Sequence, residues 1–235
     1  MCAVCRGPSG RGLRCYSCDL HLQCASGSLA DVVVPVAFAV KGGAHARRLW
    51  QYKSRHAGPE QAERAGRCLA GLLLAFLRDH CDCACRAAGA GPPTHLAVVP
   101  SARGRPGVHP LRALVAPSLP GRWADLAARP DGQRVRDLDP GRFSAAPVSG
   151  ARVLLLDDTW VTGSSAQSAA MALRRAGALA VITVVLGRHI GQPDGSRTPA
   201  GPVAGGPVAG PASSLGAVAM PFRPDACAVH RDGGG

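Results

Sequence analysis

The stretch from Arg152 to Leu186 limits the fold of this chain more tightly than any other. Val153 to Leu156 is uninterrupted apolar sequence, two adjacent carboxylates follow at Asp157 and Asp158, and small residues then dominate through Thr162-Gly-Ser-Ser165. A strand without polar alternation belongs in a parallel sheet covered on both faces. Ser165 to Ala176 follows with helical spacing, Gly177 stops it, and Ala180 to Leu186 is another apolar strand. The expected unit is β-turn-α-β, and the expected class is α/β with a parallel sheet flanked by helices.

That arrangement places both acids at the carboxyl end of a buried strand, where open α/β sheets put their ligands. Adjacent side chains on a strand point to opposite faces, so a turn is expected at Asp157 and Asp158 if both are to meet one ligand. Carboxylates accept hydrogen bonds from vicinal sugar hydroxyls. Thr162, Gly163, Ser164 and Ser165 offer hydroxyls and close backbone approach at a helix N-terminus, which favours a phosphate. The competing account is a solvated strand end followed by an ordinary helix cap.

Upstream, Ala30 to Val40 is rich in β-branched residues and reads as a strand or hairpin arm, with Pro35 marking an edge or bulge. Pro59 to His80 opens on Pro-Glu and repeats Leu69, Leu72, Leu73, Phe76 and Leu77 at helical spacing. Thr94 to Val99 is a short buried strand that breaks at Pro100 into a basic, Gly-rich loop. His109 to Ala116 suits a helix, whereas Trp123 to Phe143 is polar and interrupted by Pro and Gly.

The first 28 residues hold five of the ten cysteines and have too little apolar content for a core. Cys2 and Cys5, then Cys15 and Cys18, form two Cys-x2-Cys knuckles that can surround one tetrahedral zinc. A disulfide framework is the alternative, and cytosolic thiols disfavour it. A metal there is structural, since four thiolates leave no open position. Cys81, Cys83 and Cys85, beside His80, read as packing or surface thiols ahead of a second metal site. Cys24, Cys68 and Cys227 read as small buried residues. The expected organisation is a zinc-binding module over 1–28, the α/β domain over 29–190, a flexible Gly/Pro/Ala-rich linker over 191–219 and a tail over 220–235.

The formal charge of +12 favours phosphates, nucleic acid or acidic surfaces, yet it is spread along the chain. Aromatic residues make up only 4% of the chain, which argues against a stacking platform for single strands. No apolar run approaches the roughly 20 residues of a membrane span, and the N-terminus does not read as an export signal. No membrane insertion and a cytoplasmic location are expected.

Val153 to Ser165 resembles the phosphoribosyl pyrophosphate signature of type I phosphoribosyltransferases, with four apolar residues, two acids and a Thr-Gly-Ser turn. The resemblance implies that Asp157 and Asp158 hold the ribose hydroxyls and that Thr159, Thr162, Gly163, Ser164 and Ser165 wrap the 5-phosphate. Magnesium would arrive with the pyrophosphate. Val98 to Gly104 occupies the place of the family's pyrophosphate loop, with Ser101 and Arg103 at the anion.

A zinc knuckle ahead of such a domain, with Tyr52-Lys53 between them and Val99-Pro100 before the second half, is similar to the ComF family of competence-associated proteins. The likeness runs from residue 1 to about 190. It implies a type I phosphoribosyltransferase-like sheet with a small N-terminal zinc-ribbon-like module. It also implies transfer of a phosphoribosyl group to a nitrogen nucleophile, with Lys53 and Arg103 stabilising the leaving pyrophosphate. The alternative is a non-catalytic competence factor that handles single-stranded DNA with DNA-uptake proteins and uses the sugar-phosphate site for sensing. Two departures bear on specificity. Asp-Asp-Thr-Trp-Val-Thr-Gly-Ser-Ser stands where the family commonly has Asp-Asp-Val and Thr-Thr-Gly-Ala-Thr, and Arg105-Pro-Gly-Val-His-Pro replaces its Arg-Gly-Phe-Asn.

Overall fold

A computed structural model describes residues 1–25, 27–101, 107–129 and 137–191. Arg103, the expected linker after Gly191 and the tail with Cys227 therefore lie outside the described residues. Six strands form one parallel sheet: β1 (Val32–Pro35), β2 (Phe38–Val40), β3 (His95–Val98), β4 (Arg122–Trp123), β7 (Arg152–Trp160) and β8 (Ala180–Ile190). The order is β1-β8-β7-β3-β4, with β2 continuing beside β8 beyond β1. A separate antiparallel ribbon joins β5 (Leu126–Ala128) to β6 (Phe143–Ala145).

Alternation along the central strand divides the core in two. Val153 and Leu155 face helix α5 (Ser164–Arg175), where Ala166, Ala169, Ala170 and Leu173 cover the sheet. Leu154 and Leu156 face the opposite layer, made by α2 (Ala44–Gln51), α3 (Pro59–Ala87) and α4 (Pro110–Val115). The helices that flank β3 in sequence thus lie on one face, and the helix after β7 lies on the other. Between β3 and β7 the winding reverses, which is the switch point where α/β sheets open a crevice.

The expected Ala30 to Val40 strand is two short strands separated by a bend at Val36 and Ala37, where the Val36 amide still donates to the Val185 carbonyl at 2.8 Å and the Ala37 carbonyl accepts the Arg188 amide at 2.9 Å. Helix α3 starts at Pro59 as expected but continues seven residues past His80, since Ala84 and Cys85 are buried in the same apolar layer. Helix α1 (Tyr16–Cys24) lies inside the cysteine segment. Cys24 and Cys68 are exposed, which corrects their assignment as buried residues. Cys68 precedes Leu69 and so falls about 100° off the buried stripe of α3. No helix among the described residues is long and apolar enough to cross a membrane.

Candidate functional site

Neighbouring strands of unequal length create the cleft. Strand β3 pairs with β7 only as far as Val98 opposite Leu156, and the Val99 amide closes that ladder on the Leu156 carbonyl at 3.0 Å. Strand β7 continues on β8 to Trp160 opposite Arg188. Beyond Leu156 it therefore has a neighbour on one side only. The space left open is a cleft of about 710 Å³, lined by Tyr52, Lys53, Ser101, His109, Asp157, Asp158, Thr159 and Ser165 among others. The expected turn at the acid pair does not occur, because pairing with β8 carries the chain straight through it. Both carboxylates still reach one cleft, since the missing neighbour exposes that edge of the strand from both faces.

The two acids are electrostatically unlike. Lys53 donates to Asp158 Oδ1 at 2.8 Å and to Thr159 Oγ1 at 3.4 Å, and the Tyr52 hydroxyl donates to Asp158 Oδ2. Burial works against the Asp158 charge, but Lys53 and the Tyr52 hydroxyl outweigh it and hold the carboxyl below its ordinary range. Asp157 shows the opposite balance. Burial, and then the charge of Asp158, push it up to about 7 against a weak hydrogen bond from the Thr159 amide at 3.4 Å. The pair thus combines one fixed anion with one group that changes charge near neutral pH.

The small-residue turn is built largely for itself. Gly163 has φ of +87°, and a Cβ there would lie 2.0 Å from Trp160 Cζ2, so only glycine fits beneath the indole. Ser164 is buried: its hydroxyl lies 3.2 Å from Thr162 Oγ1 and 3.5 Å from Arg142 Nη1. Among the turn's hydroxyls, Thr159 and Ser165 line the cleft, whereas those of Thr162 and Ser164 bond behind it. Arg142 also donates to Ser165 Oγ at 3.2 Å and to the Asp137 carbonyl at 2.7 Å. This buried guanidinium at the start of α5 lies in a stretch that reads as polar and irregular, and no local pattern marks it. Trp50, two residues before Tyr52, is 54% exposed on the cleft rim.

The cysteine segment brings the four expected thiols together. The Sγ atoms of Cys2, Cys5, Cys15 and Cys18 all lie within 4.8 Å of one another, and Cys5 to Cys15 is 3.7 Å. Zinc at about 2.3 Å from each of four sulfurs needs them about 3.8 Å apart, so the donor set fits a tetrahedral ion. The cysteines among the described residues are free thiols. Hydrogen bonds from Cys15 and Cys18, helped by the Arg188 charge, hold the Cys5 thiol far below its ordinary value and favour a thiolate. Elsewhere, burial pushes Cys81 up to about 12, as suits a packing thiol.

The fold and the site define a parallel α/β protein with an acid-bearing cleft at its strand ends and a four-cysteine cluster able to hold a metal. No protein-family model matches the chain, and no curated protein matches it.

Proposed function

We propose that this chain is a phosphoribosyltransferase-fold protein of the ComF type that binds phosphoribosyl pyrophosphate and transfers its sugar phosphate to a nitrogen nucleophile. One observation carries the proposal: Asp157, Asp158, Thr159, Ser165, Ser101 and Lys53 meet in one cleft at the carboxyl edge of a parallel sheet. Asp157 and Thr159 take the sugar hydroxyls, and Ser165 with the turn amides takes the 5-phosphate. Asp158 acts through Lys53, which it fixes against the cleft wall.

In the reaction the bond from the sugar C1 to pyrophosphate breaks as the nitrogen bonds to C1, and the nitrogen then loses a proton. Positive charge develops on the sugar and negative charge on the leaving group. Lys53, 35% exposed in its side chain, supplies charge where the pyrophosphate departs. Asp157 is the carboxylate least occupied by protein partners and fits a magnesium that keeps most of its ligands from phosphate and water. When bound, that ion neutralises the pyrophosphate. The Cys2, Cys5, Cys15 and Cys18 set suits a structural zinc.

A non-catalytic role with single-stranded DNA is favoured by Trp50, whose exposed indole shares the cleft rim with Arg55 and His56. Calorimetric titration with phosphoribosyl pyrophosphate and magnesium tests the main proposal on wild type and on the Asp157→Ala, Asp158→Ala double variant. Binding by wild type that vanishes in the variant is expected. Absence of binding to the folded, zinc-loaded wild type would overturn it, and steeply salt-dependent affinity for oligonucleotides would favour the second role.

A further inference from the structure

We propose that Trp160 and Arg188 are positioning residues through which the metal-loaded cysteine cluster holds the phosphate turn in its binding shape. The inference rests on the preceding assignment of that turn to a phosphate, and it adds a task for the cysteine module.

Two struts connect the module to the turn. Trp160, 1% exposed, belongs to the same packed cluster as Cys2, Cys5 and Cys18 on the α5 face of the sheet. Its ring fills the space beside Gly163 that a Cβ would need, so the turn closes on an indole that shares one packed cluster with the knuckle cysteines. The second strut is polar. Arg188, 8% exposed at the end of β8, donates through Nη1 to the Val161 carbonyl at 3.0 Å and to the Trp160 carbonyl at 3.4 Å. Its other end abuts the first knuckle, where a Cβ on Gly7 would lie 2.5 Å from Nη2. Gly7 in turn accepts the Cys2 amide at 2.7 Å.

Four thiolates around a divalent cation carry a net negative charge, and a nearby buried guanidinium is the natural counter-charge. Arg188 therefore has an electrostatic reason to stay seated while the metal is bound, and with it the carbonyls of Trp160 and Val161 stay fixed. Without the metal the knuckles lose the bonds that define them, and the packed cluster that also holds the indole loosens. The turn would then relax while the sheet, held by its own ladders, persists. Metal occupancy would gate the affinity of a cleft formed elsewhere in the chain.

Hydrogen exchange read by mass spectrometry on the full chain tests this, together with calorimetry using phosphoribosyl pyrophosphate and magnesium. The samples are zinc-loaded wild type, chelator-stripped wild type, Arg188→Met, Arg188→Lys and Gly7→Ala. Gly7→Ala displaces the guanidinium without touching a metal ligand. Stripped protein, Arg188→Met and Gly7→Ala should exchange faster at residues 161–165 while 153–156 keep their protection. Ligand affinity should fall about tenfold, as for loss of a charge-assisted hydrogen bond that orders a loop. Arg188→Met should retain its zinc, and Arg188→Lys should recover part of the affinity. Unchanged exchange at 161–165 in the stripped protein and in both Arg188→Met and Gly7→Ala would overturn the proposal. If wild type binds no ligand, the assignment of the turn fails, and the exchange data still decide whether the struts exist.

Discussion

Replacing Asp157 by asparagine removes one ionisation and leaves the shape of the side chain nearly intact. In the unfolded chain an aspartate releases its proton near 3.8, whereas in the folded protein Asp157 releases it near about 7. Below the first value both states hold the proton, and above the second both have lost it. Between them only the native state keeps it, so wild-type stability falls as pH rises through that window. A shift of about three units corresponds to about 4 kcal/mol in full, of which about 2–3 kcal/mol accrues between pH 5 and pH 8. Urea unfolding of wild type and Asp157→Asn at both pH values gives the contrast, and the difference between the proteins cancels titrations they share, such as those of His21, His45 and His189. The variant should gain about 2–3 kcal/mol on wild type from pH 5 to pH 8. A flat difference, or one of opposite sign, would refute the account of a carboxyl held neutral by burial and by its charged neighbour.

Lys53→Met should cost about 1–3 kcal/mol in chemical denaturation, because it leaves Asp158 beside Tyr52 without its counter-charge, and partial exposure moderates the loss. Gly163→Ala should destabilise by at least about 2 kcal/mol, since its backbone is left-handed and its Cβ would overlap the Trp160 ring; calorimetric melting reads this directly. Chelation should release one zinc per chain and lower the melting temperature, and Cys5→Ser should be isolated with reduced zinc content by elemental analysis.

Local chemistry made the β7-α5-β8 unit readable. An unbroken apolar run, a small-residue turn and a helical repeat sit next to one another, and each reports its own geometry. Helix α2 gives no such sign, because only Leu49 of its eight residues is buried and two adjacent arginines, Arg47 and Arg48, precede it. Helix α1 buries just Cys18 and His21, so the cysteine cluster rather than apolar periodicity orders it. The apolar run ends at Leu156, and the last four residues of β7 owe their pairing to β8. Contacts between residues far apart in sequence leave no local pattern. Tyr52 meets Asp158 across 106 residues, and Arg142 meets Ser164 across 22, so nothing near either residue announces the contact.

The two exposed thiols among the described residues, Cys24 on the α5 side and Cys68 on the α3 side, sit on opposite flanks of the sheet. Their exposure contrasts with the cluster ligands, of which Cys2, Cys5 and Cys18 are buried and Cys15 is half-buried, and with Cys81, whose thiol resists ionisation. Once Cys227, outside the described residues, is replaced by serine, maleimide chemistry on the zinc-loaded protein would therefore favour those two positions. Paired fluorophores or spin labels there would straddle the molecule as a built-in ruler, so that one distance distribution follows any shift of the cysteine module against the α3 layer as the cleft fills.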